Sequence, residues 1–281
     1  MSVISIETRK ANELAATSNI GDSSIFMVHD GTGLKRITFE DVKRAMVYPN
    51  AGSHNSIYRG KYLGNSVSAA QYSAIRNGTF DDLFIGDYWT IGGIDYRIAA
   101  FDYYLNTGDT YCTTHHIVIV PDTALYKSKM ILNNGNTNGG YAGSALYTSG
   151  LNSAKNTIKG AFNGHVLKHR VFLSNAASNG AISNGAWLDS EVDLMSEHMV
   201  YGCMTFGYIS TPGNYIQNAH VEKTQLPLFR LNPLTIGISH ESWWLRDITL
   251  STAFASVHES GVIWSEFGWS EFGVRPCFCI S

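Results

Sequence analysis

Short apolar segments separated by turn-forming residues constrain the fold of this chain most strongly. One of the longest purely aliphatic runs, Ile117 to Val120, has four residues, and Pro121 follows it directly. Segments of this length favour strands, and a membrane-spanning helix needs about 20 apolar residues. The pair Gly92-Gly93 lies between alternating apolar and polar residues, which predicts a tight hairpin turn. The pattern therefore predicts an α+β fold that is mostly β, with no membrane insertion.

The composition favours a protein that buries surface in an assembly. Hydrophobic residues make up 44% of the 281 residues, and charged residues make up 15%, against roughly 25% in an average soluble domain. The formal net charge is −3, whereas a nucleic-acid-binding protein would carry a basic stripe or patch. We therefore expect no nucleic-acid partner.

Residues 1–47 are predicted to form a small unit of their own. Two apolar segments flank the turn signal Asp30-Gly31 and predict a hairpin, and Thr38 precedes a short amphipathic helix. A unit of this size buries too little apolar surface to be stable alone, so we expect it to dock onto other proteins or onto copies of itself. The candidate docking residues are Ile25, Met27, Ile37, Phe39, Val42 and Met46.

The rest of the chain is predicted to be a linker followed by one domain. Residues 48–57 contain Pro, Gly, Ser and Asn without hydrophobic periodicity, which is typical of a linker. Residues 58–281 are predicted to form the domain. Within it, Ser68 and Gln71 have the spacing of a capping box, which predicts a helix from Ala69 to Asn77.

The chain carries no sequence pattern typical of an enzyme or a metal site. A Gly-x-Ser-x-Gly elbow, a phosphate-binding loop, a dinucleotide fingerprint and a His-Glu-x-x-His motif are all missing from the sequence. His115 and His116 are neighbours at the start of a strand and point to opposite faces, which disfavours a shared metal. The four cysteines show neither zinc-finger spacing nor the density of a disulfide framework. We predict no catalytic residue, no metal and no cofactor.

A direct five-residue repeat lies near the C-terminus. Residues 264–268 and residues 269–273 both have the sequence Trp-Ser-Glu-Phe-Gly. Two interpretations stay open at this point. Either the tryptophans and glutamates form an aromatic, acidic surface suited to stacking on sugar rings, or the tryptophan rings fill the core between crossing strands.

Two stretches that flank this region carry a family resemblance. Ser242-Trp243-Trp244-Leu245-Arg246, followed later by Phe272-Gly273-Val274-Arg275-Pro276-Cys277-Phe278, resembles the "WWLRS … GVRPA" ending of a family found in phage structural proteins and Firmicute surface proteins. Asp247 stands where that family usually has Ser. With similar pieces at residues 140–144 and 192–197, the resemblance covers about residues 60–281.

The resemblance implies a C-type-lectin-like fold for residues 58–281. The two flanking elements would then be structural and central, with Arg246 or Arg275 paired there, and the segment between them would form the recognition surface. The sugar-binding tripeptides of calcium-dependent lectins, Glu-Pro-Asn and Trp-Asn-Asp, are missing from the sequence. The candidate ligand-binding residues are Asp247, Thr249, His258, Glu259, Trp264, Glu266, Trp269 and Glu271.

The N-terminal unit resembles a different kind of segment. Leu14 through Phe39 is similar to the attachment segments of phage tail and head fibres, which tether a fibre to the virion, usually as a trimer. The N-terminus lacks the basic region and apolar core of a secretory signal, so we expect synthesis in the host cytoplasm and assembly into the virion.

Together the two resemblances imply a bacteriophage fibre or spike protein that recognises the host surface without catalysis. Its partners would be other virion proteins, two further copies in a homotrimer, and a host glycan or surface protein. The alternative is a head fibre, collar or capsid-decoration protein with a structural role. A capsule or wall depolymerase and a bacterial surface adhesin are weaker hypotheses, the latter because of the missing signal sequence.

Overall fold

The computed structural model describes residues 21, 23–39, 41–42, 50–132, 135–176, 182–203, 205 and 224–281. The chain divides into two compact units, Met1–Tyr48 and Pro49–Ser281. Strands outnumber helices among the described elements, which confirms the predicted mixed, mostly β class. None of the described helices is long and apolar enough to cross a membrane.

The first unit contains the predicted hairpin and helix start. Strand β1 (Ile25–His29) pairs antiparallel with β2 (Leu34–Thr38). The turn is held by Asp30 Oδ1, which accepts hydrogen bonds from the backbone N–H of residues 32 and 33 at 2.9 and 3.2 Å. Thr38 Oγ1 accepts from Asp41 N at 3.1 Å, and Asp41 Oδ2 accepts from Thr38 N at 3.4 Å. These reciprocal bonds confirm a capping box in which Asp replaces the usual Glu or Gln.

The second unit holds the remaining described elements. Its helices are α1 (Ala51–His54), α2 (Ala69–Arg76), α3 (Asn152–Ala161), α4 (Glu197–Tyr201) and α5 (Pro227–Leu231), with a π-helical turn at Leu146–Gly150 and a 3-10 turn at Pro233–Thr235. Its strands are β3 (Tyr88–Ile91), β4 (Ile94–Phe101), β5 (Ile117–Pro121), β6 (Tyr126–Ser128), β7 (His169–Ala176), β8 (Ile182–Ser190), β9 (Val192–Leu194), β10 (Trp243–Leu250), β11 (Ala253–Val257), β12 (Ile263–Phe267), β13 (Phe272–Val274) and β14 (Pro276–Ile280).

Two five-stranded sheets organise this unit. The first has the strand order β3-β4-β5-β14-β9, and the second has the order β12-β11-β10-β13-β6. The hairpin β3–β4 turns at Gly92 and Gly93, whose φ angles of 62° and 81° lie in the region that favours glycine. The predicted Gly-Gly hairpin is therefore confirmed. The two strands β7 and β8 form a separate antiparallel ribbon.

The predicted capping-box helix is also confirmed. Ser68 Oγ accepts from Gln71 N at 3.2 Å, and Gln71 Oε1 accepts from Ser68 N at 2.9 Å. Helix α2 ends one residue earlier than predicted, and Gly78 follows it with a φ of 68°. A Cβ at Gly78 would come within 2.7 Å of the His115 ring, so both the backbone and the neighbouring side chain require glycine here.

The prediction of a linker at residues 48–57 is wrong for its described part. Asn50 caps helix α1, and His54 is buried with its Nδ1 donating to Leu83 O at 2.6 Å. The Asn55 amide exchanges two hydrogen bonds with the backbone of Phe101, at 2.8 and 2.9 Å. Local composition indicated a loop, but these partners lie in the loop before β3 and at the end of β4, and they fix the segment onto the domain.

The two elements of the C-terminal resemblance lie where the sheets meet. Trp243, Trp244 and Arg246 on β10 are buried, as are Val274 and Arg275. Strands β13 and β14 belong to different sheets and are separated by Arg275 alone. The structural role expected for these elements therefore agrees with their burial.

Arg275 links the two sheets through backbone oxygens. Its Nε donates to Pro121 O at 2.8 Å, and its Nη1 donates to the carbonyls of residues 235 and 236 at 3.0 and 3.2 Å. The guanidinium lies 5.0 Å from the Trp243 ring centroid and 5.7 Å from that of Phe229. Burial lowers the pKa of Arg275 to about 10. Carbonyl dipoles and ring faces thus stabilise the buried charge.

Candidate functional site

The hairpin formed by β11 and β12 carries four of the eight predicted ligand-binding residues, namely His258, Glu259, Trp264 and Glu266. Strand β12 is at the edge of its sheet, and within the described part of the chain no strand pairs with its outer side. His258 N donates to Val262 O at 2.8 Å, and Gly268 N donates to Thr252 O at 2.9 Å. Because hydrogen-bonded pairs alternate in an antiparallel ladder, Ile263, Ser265 and Phe267 direct their backbone groups outward.

Trp264 is one of two exposed aromatic residues on this hairpin, the other being Phe267. Trp264 is 54% exposed, although Trp89, Trp243 and Trp244 are fully buried. The indole lies 6.2 Å from the His258 ring, centroid to centroid. His258 Nδ1 accepts from Ser260 N at 3.3 Å, which makes Nε2 the protonated nitrogen of the neutral ring. The surface interpretation of the repeat therefore describes its first tryptophan.

The second copy of the repeat has different surroundings. Trp269 is half-buried and stacks on Phe267, with centroids 4.7 Å apart and an interplanar angle of 7°. Phe272 packs against buried Trp244 at 4.9 Å. Phe272 of the second copy therefore packs against the core, whereas Trp269 lies at its border and does not fill it.

The turn at Gly268 separates the two copies. Ile131 N donates to Gly268 O at 2.9 Å, and a Cβ at Gly268 would come within 2.6 Å of Ile131 Cγ1. A glycine is required here by close approach of the neighbouring chain. The turn ends β12 and directs Trp269 back toward Phe267.

The exposed aromatic rings of the hairpin lie on opposite faces. Side chains alternate along a strand, so Trp264 shares its face with its cross-strand partner Ser256, whereas Phe267 shares the other face with Ser265. On that second face Thr249 and Ser265 hydroxyl oxygens are 2.6 Å apart. Trp264 and the Phe267–Trp269 stack therefore form two separate surfaces, and no local sequence pattern indicated this division.

The carboxylates of the segment have different roles. Glu266 Oε1 accepts from Phe267 N at 2.9 Å and from Ser270 Oγ at 3.1 Å, and thereby occupies one outward N–H of the edge strand. Asp247 Oδ2 accepts from Glu197 N at 2.6 Å, in the first turn of α4. Glu259 and Glu271 are exposed. Asp247 therefore fixes a helix terminus, and the other three carboxylates lie nearer the surface.

The electrostatic character of this hairpin is acidic. Residues 247–273 contain four carboxylates and neither lysine nor arginine. A ligand that approaches here meets negative charge and hydrogen-bond acceptors. Anionic ligands are therefore disfavoured by charge repulsion.

Ser256 was not among the residues that the sequence singled out. It is fully buried on β11, directly across from Trp264 on one side and from Trp244 on the other. Its Oγ has no hydrogen-bond partner among the described residues. Only the strand register places this serine between two tryptophans, and the sequence carried no signal of that register.

A buried polar cluster lies elsewhere in the domain core. Asp193 accepts a hydrogen bond from Tyr141 OH at 3.2 Å and another from Ser190 Oγ. Burial raises the pKa of Asp193 to about 6. Tyr141 OH also accepts from Leu194 N at 3.0 Å, which ties the loop before the π-helical turn to β9. The cluster is enclosed, so we assign it to the scaffold.

The adjacent histidines have separate structural partners. The Nδ1 of His115 is 2.7 Å from Asp102 Oδ2. His116 is fully buried, its Nδ1 donates to Thr114 O at 2.9 Å, and its Nε2 accepts from Tyr104 N at 3.1 Å. In the described residues, no group of three or more His, Cys, Asp or Glu side chains is placed to hold a metal ion.

The predicted docking residues of the first unit fall into two groups. Ile25 and Met27 are 55% and 64% exposed. Ile37, Phe39 and Val42 are half-buried, and the Phe39 ring packs 5.8 Å from that of Phe26. Met46 lies outside the described residues. The hairpin thus keeps one apolar pair on its surface, next to Leu34, which is 70% exposed.

Comparison with known proteins finds one similarity. The profile of a family described as "Domain of unknown function (DUF6273)" matches residues 146–281. No curated protein and no solved structure matches the chain. The matched span begins at the π-helical turn and includes the β11–β12 hairpin and the buried elements that flank it. Over this span the chain is similar to the DUF6273 family.

Proposed function

We propose that the chain is a bacteriophage virion protein of the fibre or spike type. In this proposal the first unit attaches the protein to the particle, as a homotrimer, and the second unit is a C-type-lectin-like domain that recognises the host cell surface. The ligand is a glycan or a surface protein, and recognition involves no catalysis. The roles assigned to the hairpin of the first unit and to the Trp264 surface rest on their exposed residues and not on the fold.

The exposure of Trp264 is the observation that carries this proposal. Six tryptophans are present, and an indole that is 54% exposed on an edge strand leaves a large apolar face in water. Aromatic faces of this kind stack on apolar faces of ligands, and neighbouring hydrogen-bonding groups fix orientation. A trimer would present three such faces, so avidity would compensate for weak individual sites.

The exposed pair Ile25 and Met27 supports attachment by the first unit. A two-stranded hairpin is marginal in water and an exposed apolar face on it favours burial against a partner. The same observation supports the second candidate function, a head fibre, collar or capsid-decoration protein that stabilises the particle. The two candidates differ in whether Trp264 meets a ligand.

Binding of the labelled full chain to host cells tests the proposal. Wild-type protein should bind, and Trp264→Ala should lose at least about tenfold in affinity because it removes one aromatic anchor. Tyr111→Ala is the matched control, since Tyr111 is 70% exposed and lies outside the hairpin. Wild-type protein that does not bind cells, or a folded Trp264→Ala variant that binds as well as wild type, would contradict the proposal.

A further inference from the structure

We propose that Ser256 and Trp264 form a subsite for an uncharged saccharide, an inference that rests on the proposed function. A pyranose ring stacks on the Trp264 indole, and one of its hydroxyl groups forms a hydrogen bond with Ser256 Oγ. His258 Nε2, at the same end of the hairpin, supplies a further donor.

The unpaired hydroxyl of Ser256 is the first argument. A buried hydroxyl without a partner lowers the stability of the folded state, so alanine at this position would give a more stable domain. Unpaired buried groups in native structures are uncommon and call for an explanation. The serine at this fully buried position is explained when its hydroxyl meets a partner in the bound state.

The register of the hairpin is the second argument. Ser256 and Trp264 are cross-strand partners in a hydrogen-bonded pair, whose Cα atoms lie about 5.5 Å apart, and their side chains share one face. Trp244 closes the opposite side of Ser256 and is fixed by its Nε1, which donates to Ser128 O at 2.8 Å. Trp264 is the exposed neighbour on an edge strand, and in the proposed bound state its side chain shifts so that the ligand reaches the hydroxyl.

The charge of the hairpin selects the class of saccharide. Glu259, Glu266 and Glu271 supply negative charge, and residues 247–273 contain no lysine or arginine to pair with a carboxylate, sulfate or phosphate. An anionic sugar would therefore be repelled, whereas a neutral sugar offers hydroxyl groups to both serine and histidine. Neutral hexoses and N-acetylhexosamines fit this site, and sialic or uronic acids do not.

The test follows the indole N–H resonances of the full chain by two-dimensional NMR during titration with named sugars. The neutral probes are N-acetylglucosamine and the methyl glycosides of glucose, mannose and galactose. The acidic probes are N-acetylneuraminic acid and glucuronic acid. Trp264→Phe assigns the relevant resonance. We expect at least one neutral sugar to shift the Trp264 signal and both acidic sugars to leave it unchanged.

Ser256→Ala then isolates the hydroxyl. We expect it to melt at or above the wild-type temperature while its affinity for the neutral sugar falls by about three- to tenfold, the value of one hydrogen bond. The matched control is Ser265→Ala, because Ser265 lies on the adjacent strand and faces the other side of the sheet. This control should bind as wild type does.

The possible outcomes separate the saccharide subsite from the recognition of host cells. If Ser256→Ala binds the sugar as wild type does, or if an acidic sugar binds better than every neutral one, the subsite is overturned. If none of the sugars binds while cell binding still depends on Trp264, the saccharide subsite is likewise overturned and the recognition of host cells stands.

Discussion

Arg275 shows how one residue holds the two sheets together. It is the single residue between β13 and β14, and its guanidinium donates to carbonyls at the end of β5 and after the 3-10 turn. No carboxylate of the described residues forms a salt bridge with it. Removal of the side chain would therefore take a hydrogen-bond donor from backbone carbonyls and would leave no buried carboxylate without its counter-ion. A buried arginine of this kind specifies how the sheets meet.

We predict that Arg275→Ala destabilises the domain by about 3–5 kcal/mol. The substitution removes a donor from three carbonyl oxygens, of which Ile236 O keeps the Trp243 Nε1 donor, and opens a cavity against Trp243 and Phe229. Chemical denaturation measures the change. Arg170→Ala is the control, because its partners Asp109 and Asp189 form exposed pairs worth about 0–1 kcal/mol. A loss for Arg275→Ala no larger than that of the control would contradict this account.

Asp193 makes the stability of the domain depend on pH. Its pKa of about 6 in the folded state lies above its ordinary value of 3.8, so the folded state binds more protons than the unfolded state between those values. Its contribution to stability is therefore present at pH 4 and is lost as the pH rises to 6, by up to about 3 kcal/mol. Buried His54 has the opposite effect on the pH dependence of stability. Burial lowers its pKa below 6.5, so stability falls as the pH drops from 6.5 through the lowered pKa.

Asp193→Asn separates these two contributions. The amide oxygen still accepts a hydrogen bond from Tyr141 or Ser190, but the titration is removed. In urea denaturation between pH 4 and pH 7, the difference between variant and wild type should grow in favour of the variant as the pH rises. A difference that stays constant over this range would show that Asp193 has no raised pKa.

At the scale of elements, Gly268 decides where the repeat points. The two copies have the same sequence, yet the first lies on β12 and the second begins in the turn that follows. At this turn the chain at Ile131 closely approaches Gly268. The repeat itself is visible in the sequence. The different surroundings of its two copies are not, because the contact with Ile131 is long-range and has no local pattern.

Gly268→Ala should destabilise the domain by about 1–3 kcal/mol, since the added methyl group overpacks against Ile131 and Phe254. Gly160→Ala in α3 is the matched control. Open space surrounds that position, so alanine should stabilise the helix by about 0.5–1 kcal/mol. Thermal denaturation of both variants checks the prediction, and equal effects of the same sign would contradict it.

The elements that the sequence predicted best are those with local signals. Gly92-Gly93 fixes the β3–β4 turn by backbone conformation, and Ser68 with Gln71 caps α2, so both were found from neighbours in sequence. The linker prediction failed because His54 and Asn55 have long-range partners, Leu83 and Phe101. Ser256 was missed for a related reason, since its position between two tryptophans depends on strand pairing.

At the scale of the whole molecule, the first unit determines assembly in this account. Its hairpin exposes Ile25 and Met27, and a unit of this size gains stability by burying them against another chain. We predict that sedimentation equilibrium of the full chain gives a trimer and that the double variant Ile25→Ser, Met27→Ser shifts it toward monomer. Leu234→Ser, at an 83% exposed position of the second unit, should leave the trimer intact. A monomeric wild-type protein, or a trimeric double variant, would contradict the prediction.

Immunogold labelling of intact virions with antibody against residues 60–281 tests whether the protein is a receptor-binding fibre. We expect label at the tail tip or along fibres, where a receptor-binding domain meets the host. Label confined to the head or neck would contradict host recognition and favour the structural candidate. Particles without any label would contradict the assignment to the virion itself.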